Sequence, residues 1–177
     1  MSNLISINPK YRNDQFQRYK VPAVISKITR RGNGTFTTIN NINDIAERLF
    51  HPVDILFKAI GYNLATSINQ KNNTIKGAHE TSEIQDAIDK YIVAFILCPK
   101  CAIPELSLSV TGKKKKMKCE YSCSACGASD VFKVSRKENE KILQLIIKDI
   151  SSGNKWPQHS TADLEPFDIM SNPFEGF

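Results

Sequence analysis

The sequence predicts an α+β fold: a small α/β domain, then a four-cysteine zinc ribbon and a C-terminal helix. Three observations carry this prediction. Short segments rich in β-branched residues alternate with apolar stripes of helical period over residues 24–96. Two Cys-x-x-Cys pairs then enclose residues 102–122. An amphipathic stretch of helical period follows the second pair.

Length and composition set the outer bounds. The 177 residues, 41% of them apolar, suffice for one ordinary domain or two small ones with a core. No apolar run is long enough to cross a bilayer, and the first residues lack the basic-then-apolar layout of a signal peptide. We therefore expect a cytoplasmic protein without membrane contact, or one of the host cytoplasm if the sequence is viral.

The first strands are expected in an α/β domain over residues 15–96, after a polar, flexible N-terminal arm over residues 1–14. Alternation over residues 24–29 and a β-branched run over residues 35–39 predict two strands, and the glycines and asparagine between them predict a hairpin turn. A second hairpin is predicted over residues 66–76.

Three helices are expected in the same domain. Asn43 is predicted to cap the first helix. Pro52 suits the first turn of the second, and Gly61 is predicted to end it. The third begins at Thr81 or Ser82 and presents one apolar stripe that leads directly into the first cysteine pair.

The two cysteine pairs predict a metal site. Cys98 with Cys101, and Cys123 with Cys126, place two sulfurs on each of two tight turns. Two such turns supply the four thiolates of a closed zinc site, which is structural because no position stays open for water or substrate. The alternative is two disulfides or unrelated buried cysteines, which the lack of a signal peptide disfavours. Cys119 could replace a ligand, but the paired spacing favours the other four.

The ribbon is predicted over residues 97–134, and Gly127 stands where a cysteine knuckle often needs a positive φ. Its strands are expected at residues 106–110, 117–122 and 131–134. Residues 135–151 predict the amphipathic helix. Residues 152–177 combine acids, prolines and scattered aromatics, which predicts an acidic tail.

Charge is uneven along the chain. Residues 1–150 hold 23 Lys and Arg against 14 Asp and Glu, whereas residues 151–177 hold one Lys against four acids. A basic body suggests a polyanionic partner, with nucleic acid as the leading candidate. A lysine run comprises Lys113, Lys114, Lys115, Lys116 and, after one methionine, Lys118. Because these charges repel one another, the run is expected on an exposed turn.

Several motifs occur in the order found in a known family. They are Asp14-Gln-Phe-Gln-Arg-Tyr-Lys-Val-Pro22, Gly32-Asn-Gly34, Phe57-Lys-Ala-Ile-Gly61, Ile75-Lys-Gly-Ala-His-Glu80, Ile84-Gln-Asp86, Phe95-Ile-Leu-Cys-Pro-Lys-Cys101 and Cys123-Ser-Ala-Cys-Gly127. Over residues 11–150 the chain resembles the eukaryotic translation initiation factor 5 family. The resemblance implies the α/β domain plus zinc ribbon that this family shares with the β subunit of initiation factor 2.

This resemblance implies a protein that stimulates GTP hydrolysis in trans, by the complex of initiation factor 2, GTP and initiator tRNA on the small ribosomal subunit during start-codon selection. The arginine of the Arg-Tyr-Lys motif is proposed as an arginine finger in the family, and it is Arg18 here. Lys20 is a weaker candidate for the same electrostatic role. The implied partners are the γ and β subunits of initiation factor 2, initiator tRNA and small-subunit RNA. No Ser-His-Asp, Cys-His or Walker-type arrangement occurs, so an autonomous enzyme is not expected.

RNA contacts are implied at further positions. Gly34 and Lys58 match family positions tied to start-site stringency. A lysine that is usual after this glycine is missing, and Arg30 and Arg31 are expected to replace its charge from the other side of the turn. Together with the lysine run, these residues predict salt-sensitive binding to RNA.

Longer members of the family carry a C-terminal helical-repeat domain that does not fit within 177 residues, so a short form is expected. Two other functions stay open. One is a non-activating, subunit-like or competing module that resembles the β subunit of initiation factor 2. The other is an unrelated zinc-ribbon nucleic-acid-binding protein, which explains the cysteines and the charge but not the ordered motifs.

Overall fold

The computed structural model describes residues 3–12, 14–32, 34–112, 116–154 and 156. The strands are β1 (Leu4–Ser6), β2 (Lys20–Pro22), β3 (Ser26–Arg31), β4 (Gly34–Ile39), β5 (Ile68–Asn69), β6 (Thr74–Lys76), β7 (Leu106–Thr111), β8 (Lys118–Cys123) and β9 (Ser129–Val131). The helices are α1 (Ile42–Arg48), α2 (Val53–Asn63), α3 (Thr81–Phe95) and α4 (Lys137–Ser151). The predicted fold class, mixed α and β with a C-terminal helix, is confirmed.

The N-terminal segment is a strand rather than an arm. β1 pairs antiparallel with β2, with Ile5 opposite Val21. The Ile7 side chain is 2% exposed, and its N–H donates to the carbonyl of Tyr19 at 3.0 Å. Arg12 then forms an ion pair with Asp89 of α3. The prediction of a flexible arm over residues 1–14 is therefore wrong for residues 3–12, because a long-range pairing buries a strand too short to show a pattern.

A four-stranded antiparallel sheet in the order β3-β4-β6-β5 forms the centre of the α/β domain. Both predicted hairpins are confirmed, and the first closes with Arg31 opposite Gly34. Thr37, Ile39 and Ile75 are fully buried on the face of the sheet that contributes to the core. In the described part of the chain, none of the helices is long and apolar enough to cross a membrane.

Two predicted helix ends are wrong. α1 begins at Ile42, and the predicted cap Asn43 lies inside it. The residue at the N-cap is Asn41, whose side chain instead accepts from the N–H of Ile25 at 2.9 Å and joins the helix start to the sheet. α2 continues past Gly61, where a Cβ would lie only 2.7 Å from Cγ2 of Ile68. This glycine permits close packing of α2 against β5 rather than ending the helix.

The third helix follows its prediction closely. α3 begins after Glu80, which forms a reciprocal capping box with Glu83. Its stripe is buried throughout: Ile84, Ala87, Ile88, Tyr91, Ile92 and Phe95. The same helix leads directly to Cys98, so the first metal-binding turn is attached to a helix of the α/β core.

The ribbon strands form a separate three-stranded sheet in the order β7-β8-β9. Phe132 follows β9 directly, and its ring stacks on that of Phe95 of α3, with the ring centroids 5.6 Å apart. α4 packs against the main core through Ile142 and Ile146, both 0% exposed, so it closes the α/β core rather than standing alone. Most of the predicted acidic tail, 155 and 157–177, lies outside the described residues.

Candidate metal centre and arginine segment

The four predicted cysteine ligands converge on one point. The first knuckle is closed by a hydrogen bond from Ala102 N–H to Cys98 O at 2.8 Å, and the second by one from Gly127 N–H to Cys123 O at 2.9 Å. The residue after each second cysteine is left-handed, with φ of 56° at Ala102 and 69° at Gly127. The positive φ predicted for Gly127 is confirmed, and the first knuckle reaches the same geometry with alanine.

The sulfur geometry fits one metal ion. All four Sγ atoms lie within 4.8 Å of one another. Cys98 Sγ is 3.7 Å from Cys126 Sγ, and Cys101 Sγ is 3.7 Å from Cys123 Sγ. Tetrahedral Zn–S bonds of about 2.3 Å give sulfur–sulfur edges of about 3.8 Å. The four cysteines are thus close enough to bind one metal ion, and Cys119, buried on β8, is not in the cluster.

Local electrostatics also distinguish Cys98 from Cys101. Burial disfavours a charge on Cys98, but backbone N–H groups of Lys100 and Cys101 and the neighbouring thiols outweigh it, so the pKa of Cys98 falls to about 7. Burial raises the pKa of Cys101 to about 12. Four adjacent thiols cannot all be deprotonated without a positive charge nearby, because the thiolates repel one another. A bound metal cation would supply that charge.

Arg18 lies between two strands that are paired with each other. It precedes β2, and a compact turn in which Asp14 Oδ1 accepts from the N–H of Phe16 at 2.9 Å comes just before it. Its side chain is exposed and makes no ion pair with a described residue. Lys20, by contrast, donates from Nζ to the carbonyl of Gln15 at 2.9 Å and holds the turn that carries Arg18.

The connection between β1 and β2 carries Arg18, and we call it the arginine segment. It is attached to the ribbon by two side-chain hydrogen bonds. Tyr19 donates its hydroxyl to Glu105, which is 9% exposed just before β7. Burial and this carboxylate raise the pKa of Tyr19 to about 12. Asn8 donates from Nδ2 to the carbonyl of Ala102 at 3.3 Å, at the tip of the first knuckle. The ribbon therefore supports the position of Arg18 through the neighbouring Tyr19.

The predicted RNA-contacting residues lie on separate elements. Arg30, Arg31 and Gly34 belong to the β3–β4 hairpin. Lys58 lies on α2, beside an open depression of about 660 Å³ that Tyr62, Lys71 and others also line. Lys116 is exposed between β7 and β8 and Lys118 is exposed at the start of β8, whereas 113–115 are outside the described residues.

Sequence reasoning did not single out Phe16 or Glu105. Phe16 is 96% exposed, two residues from Arg18. Its position two residues after Asp14 was a usable signal, because an aspartate favours a turn in which its side chain bonds the backbone two residues further on. Glu105 gave no signal, since its partner Tyr19 is distant in the sequence.

Comparison with known proteins identifies the family. Residues 9–129 match the family model of a domain found in initiation factors 2B and 5. The chain belongs to this family. Eukaryotic translation initiation factor 5 of Mus musculus is 36% identical to this initiation-factor domain over 153 residues, which are 81% of this chain and 34% of that protein.

Relatives from distant organisms give the same result. The factor 5 of Drosophila melanogaster is 34% identical over 152 residues, covering 84% of this chain and 32% of its own. That of Saccharomyces cerevisiae is 30% identical over 147 residues, covering 81% and 36%. The initiation-factor domain described here thus spans about a third of the length of these curated relatives.

Proposed function

We propose that this protein acts in translation initiation and stimulates GTP hydrolysis by the complex of initiation factor 2, GTP and initiator tRNA on the small ribosomal subunit. Its relatives are named eukaryotic translation initiation factor 5. The observation that carries the proposal is that Arg18, within the matched segment, is exposed and forms no ion pair with a described residue. The proposed partners imply that the protein acts in the cytoplasm and works in trans, not as an autonomous enzyme.

In this proposal Arg18 enters the nucleotide site of the partner GTPase. Phosphoryl transfer develops negative charge on the transferred group, and an arginine supplied by another protein contributes about 10³–10⁵ in rate. A guanidinium suits this work because it is planar, always charged and offers a fork of donors. Lys20 supports the finger by holding the preceding turn, through its bond to the Gln15 carbonyl at 2.9 Å.

We further propose that the bound metal is one structural Zn²⁺ held by Cys98, Cys101, Cys123 and Cys126. Four thiolates with these separations favour zinc, and a closed set of four leaves no position for catalysis. The metal keeps the ribbon folded, and the ribbon supports Tyr19 beside Arg18.

The RNA contacts are part of the same proposal. The exposed Arg30, Lys116 and Lys118, together with Lys58 on α2, present cations that form no ion pair with another described residue. Initiator tRNA and small-subunit RNA are the polyanions that these cations would contact. Arg31, Gly34 and the lysines 113–115 complete the proposed set.

One alternative function is supported by a specific observation. The matching family model covers more than one kind of initiation factor, so membership alone does not select the activating kind. A non-activating module that resembles the β subunit of initiation factor 2 is therefore the second candidate. Membership of this family argues against the unrelated zinc-ribbon protein considered from the sequence.

The test is single-turnover GTP hydrolysis on small subunits carrying initiation factor 2, GTP and initiator tRNA, with and without the full chain. A protein-dependent increase in the hydrolysis rate supports the proposal. Normal binding without any increase favours the subunit-like module. Absence of both binding and stimulation contradicts both candidates.

A further inference from the structure

The β3-β4-β6-β5 sheet has one open face. Side chains alternate along a strand, and directly paired residues share a face, so the face opposite to the core carries the residues next to the buried ones. They are Lys27, Thr29, Phe36, Thr38, Thr74 and Lys76. Strand β4, which carries Phe36, is paired on both sides, so this ring projects from the middle of the sheet.

A depression of about 600 Å³ lies over this face. Its lining consists only of strand and turn residues, including Phe36, the neighbouring threonines, Asn69 and Asn72, and none of these residues is acidic. The volume falls within the range of small-ligand pockets, about 300–1,000 Å³. The face is therefore open, concave and free of negative charge along its lining.

Two cations flank the aromatic ring. Phe36 pairs directly with Thr29 on β3 and with Lys76 on β6, and Lys27 lies two residues before Thr29 on β3, on the same face of the sheet. Both lysines are exposed, and neither forms an ion pair with a described residue. Apart from Phe36, the lining offers hydroxyl and amide groups, whereas the centre of a protein-docking surface is enriched in clustered apolar side chains.

We propose that this face binds an unpaired nucleotide of single-stranded RNA, with the base stacked on Phe36 and its phosphates beside Lys27 and Lys76. Stacking on an aromatic ring tolerates every base, and threonine and asparagine groups can bond base edges or the 2′-hydroxyl. The inference deepens the proposed RNA contact by naming its ligand, and it does not depend on stimulation of GTP hydrolysis.

The test measures the fluorescence anisotropy of a labelled oligouridine and of a labelled RNA duplex with the full chain. Phe36→Leu keeps an apolar side chain but removes the π face, so we expect weaker oligouridine binding by about five-fold to a hundred-fold and unchanged duplex binding. Phe36→Tyr should retain binding. Tyr11→Leu, at an exposed aromatic residue on another element, is the matched control and should leave both affinities unchanged.

A second measurement locates the base. An oligouridine containing 4-thiouridine should cross-link on irradiation to the peptides of β4 or β6, and peptide mapping would show it. Equal oligouridine binding by the parent and Phe36→Leu, or cross-links confined to other elements, would overturn the proposal. A parent that binds oligouridine through Phe36 but does not stimulate GTP hydrolysis contradicts the proposed function alone.

Discussion

Arg18 is exposed, and no ion pair with a described residue occupies its guanidinium. Arg18→Ala is therefore expected to leave folding intact. If the finger proposal holds, stimulated GTP hydrolysis falls by about a thousand-fold or more, and affinity for the complex changes little, because the guanidinium works on charge that develops only in the transition state. Single-turnover hydrolysis at saturating protein measures the first effect, and binding titration the second.

Two further variants refine the Arg18 prediction. Arg18→Lys should restore little activity, since a single ammonium does not reproduce the donor fork. Arg48→Ala removes an exposed arginine from α1 and should stimulate GTP hydrolysis like the parent. Full stimulation by Arg18→Ala would show that the finger assignment is wrong.

The hydrogen bond from Tyr19 to Glu105 joins the arginine segment to the ribbon. Tyr19→Phe leaves a carboxylate that is 9% exposed without this donor, so the free energy of unfolding should fall by about 1–2 kcal/mol. Urea unfolding measures the change. Tyr11→Phe is the matched control, because the Tyr11 side chain is 41% exposed and lies in a surface turn.

The same bond has a defined pH dependence. The pKa of Tyr19 is raised to about 12 in the folded protein, above the value of about 10 for an unfolded tyrosine. Its contribution to stability is therefore complete below about pH 10 and is lost as the pH rises towards 12. The difference between the parent and Tyr19→Phe should follow this loss. Equal stability at neutral pH would contradict a stabilising role for the bond.

At the scale of elements, the ribbon strands depend on the metal centre. The core of this module consists of few buried residues: Cys98, Leu106, Tyr121, Cys123 and Ala128. Such a core is too small to stay folded without its metal. Cys123→Ser is expected to abolish stoichiometric zinc and to remove amide-exchange protection from β7, β8 and β9. The β3–β6 sheet and α3 should keep theirs, because their core has a separate apolar stripe.

Cys119→Ala is the matched control for the ligand set. Cys119 is 2% exposed on β8 and lies outside the group of four converging sulfurs, so it is expected to be a core thiol rather than a ligand. Elemental analysis should find one zinc per chain in this variant. Zinc retained in Cys123→Ser, or lost in Cys119→Ala, would contradict the proposed ligands.

Local patterns were sufficient where an element depends on its own residues. The apolar stripe of α3 could be predicted because the period of a helix fixes the spacing of its buried residues. The two cysteine turns could be predicted because both sulfurs of a knuckle must reach the same metal ion. The predicted helix ends at Asn43 and Gly61 are wrong because contacts between residues distant in sequence determine the conformation there. The Asn41 side chain bonds to the N–H of Ile25, and Gly61 packs closely against Ile68. Such tertiary contacts leave no periodic trace.

The candidate site likewise contains residues that local sequence patterns predict and residues that they do not. The metal ligands followed from spacing, whereas Arg18 was found only through a motif, since one exposed arginine has no pattern of its own. Two hydrogen bonds attach the arginine segment to the ribbon, from Tyr19 to Glu105 and from Asn8 to Ala102. Each joins residues more than eighty positions apart, so no local pattern predicts it.

At the scale of the whole molecule, the net charge of +6 favours polyanions, but it does not show which face they contact. The lysine run is the densest cationic stretch, and its described members, Lys116 and Lys118, are exposed.

Neutralising this run tests how charge is used. Replacing the four lysines at 113–116 by glutamine should weaken RNA binding and make the plot of log affinity against log salt less steep by up to about 3, because each lost phosphate contact removes about 0.7–0.9 from the slope. The matched control removes the same charge from exposed lysines elsewhere: Lys90, Lys133, Lys137 and Lys148. Filter binding across a salt series measures both. If the control substitutions reduce the slope as much as the substitutions at 113–116 do, RNA binding depends on general charge rather than on this lysine run. If neither set of substitutions changes the slope, an RNA-facing role for the ribbon is excluded.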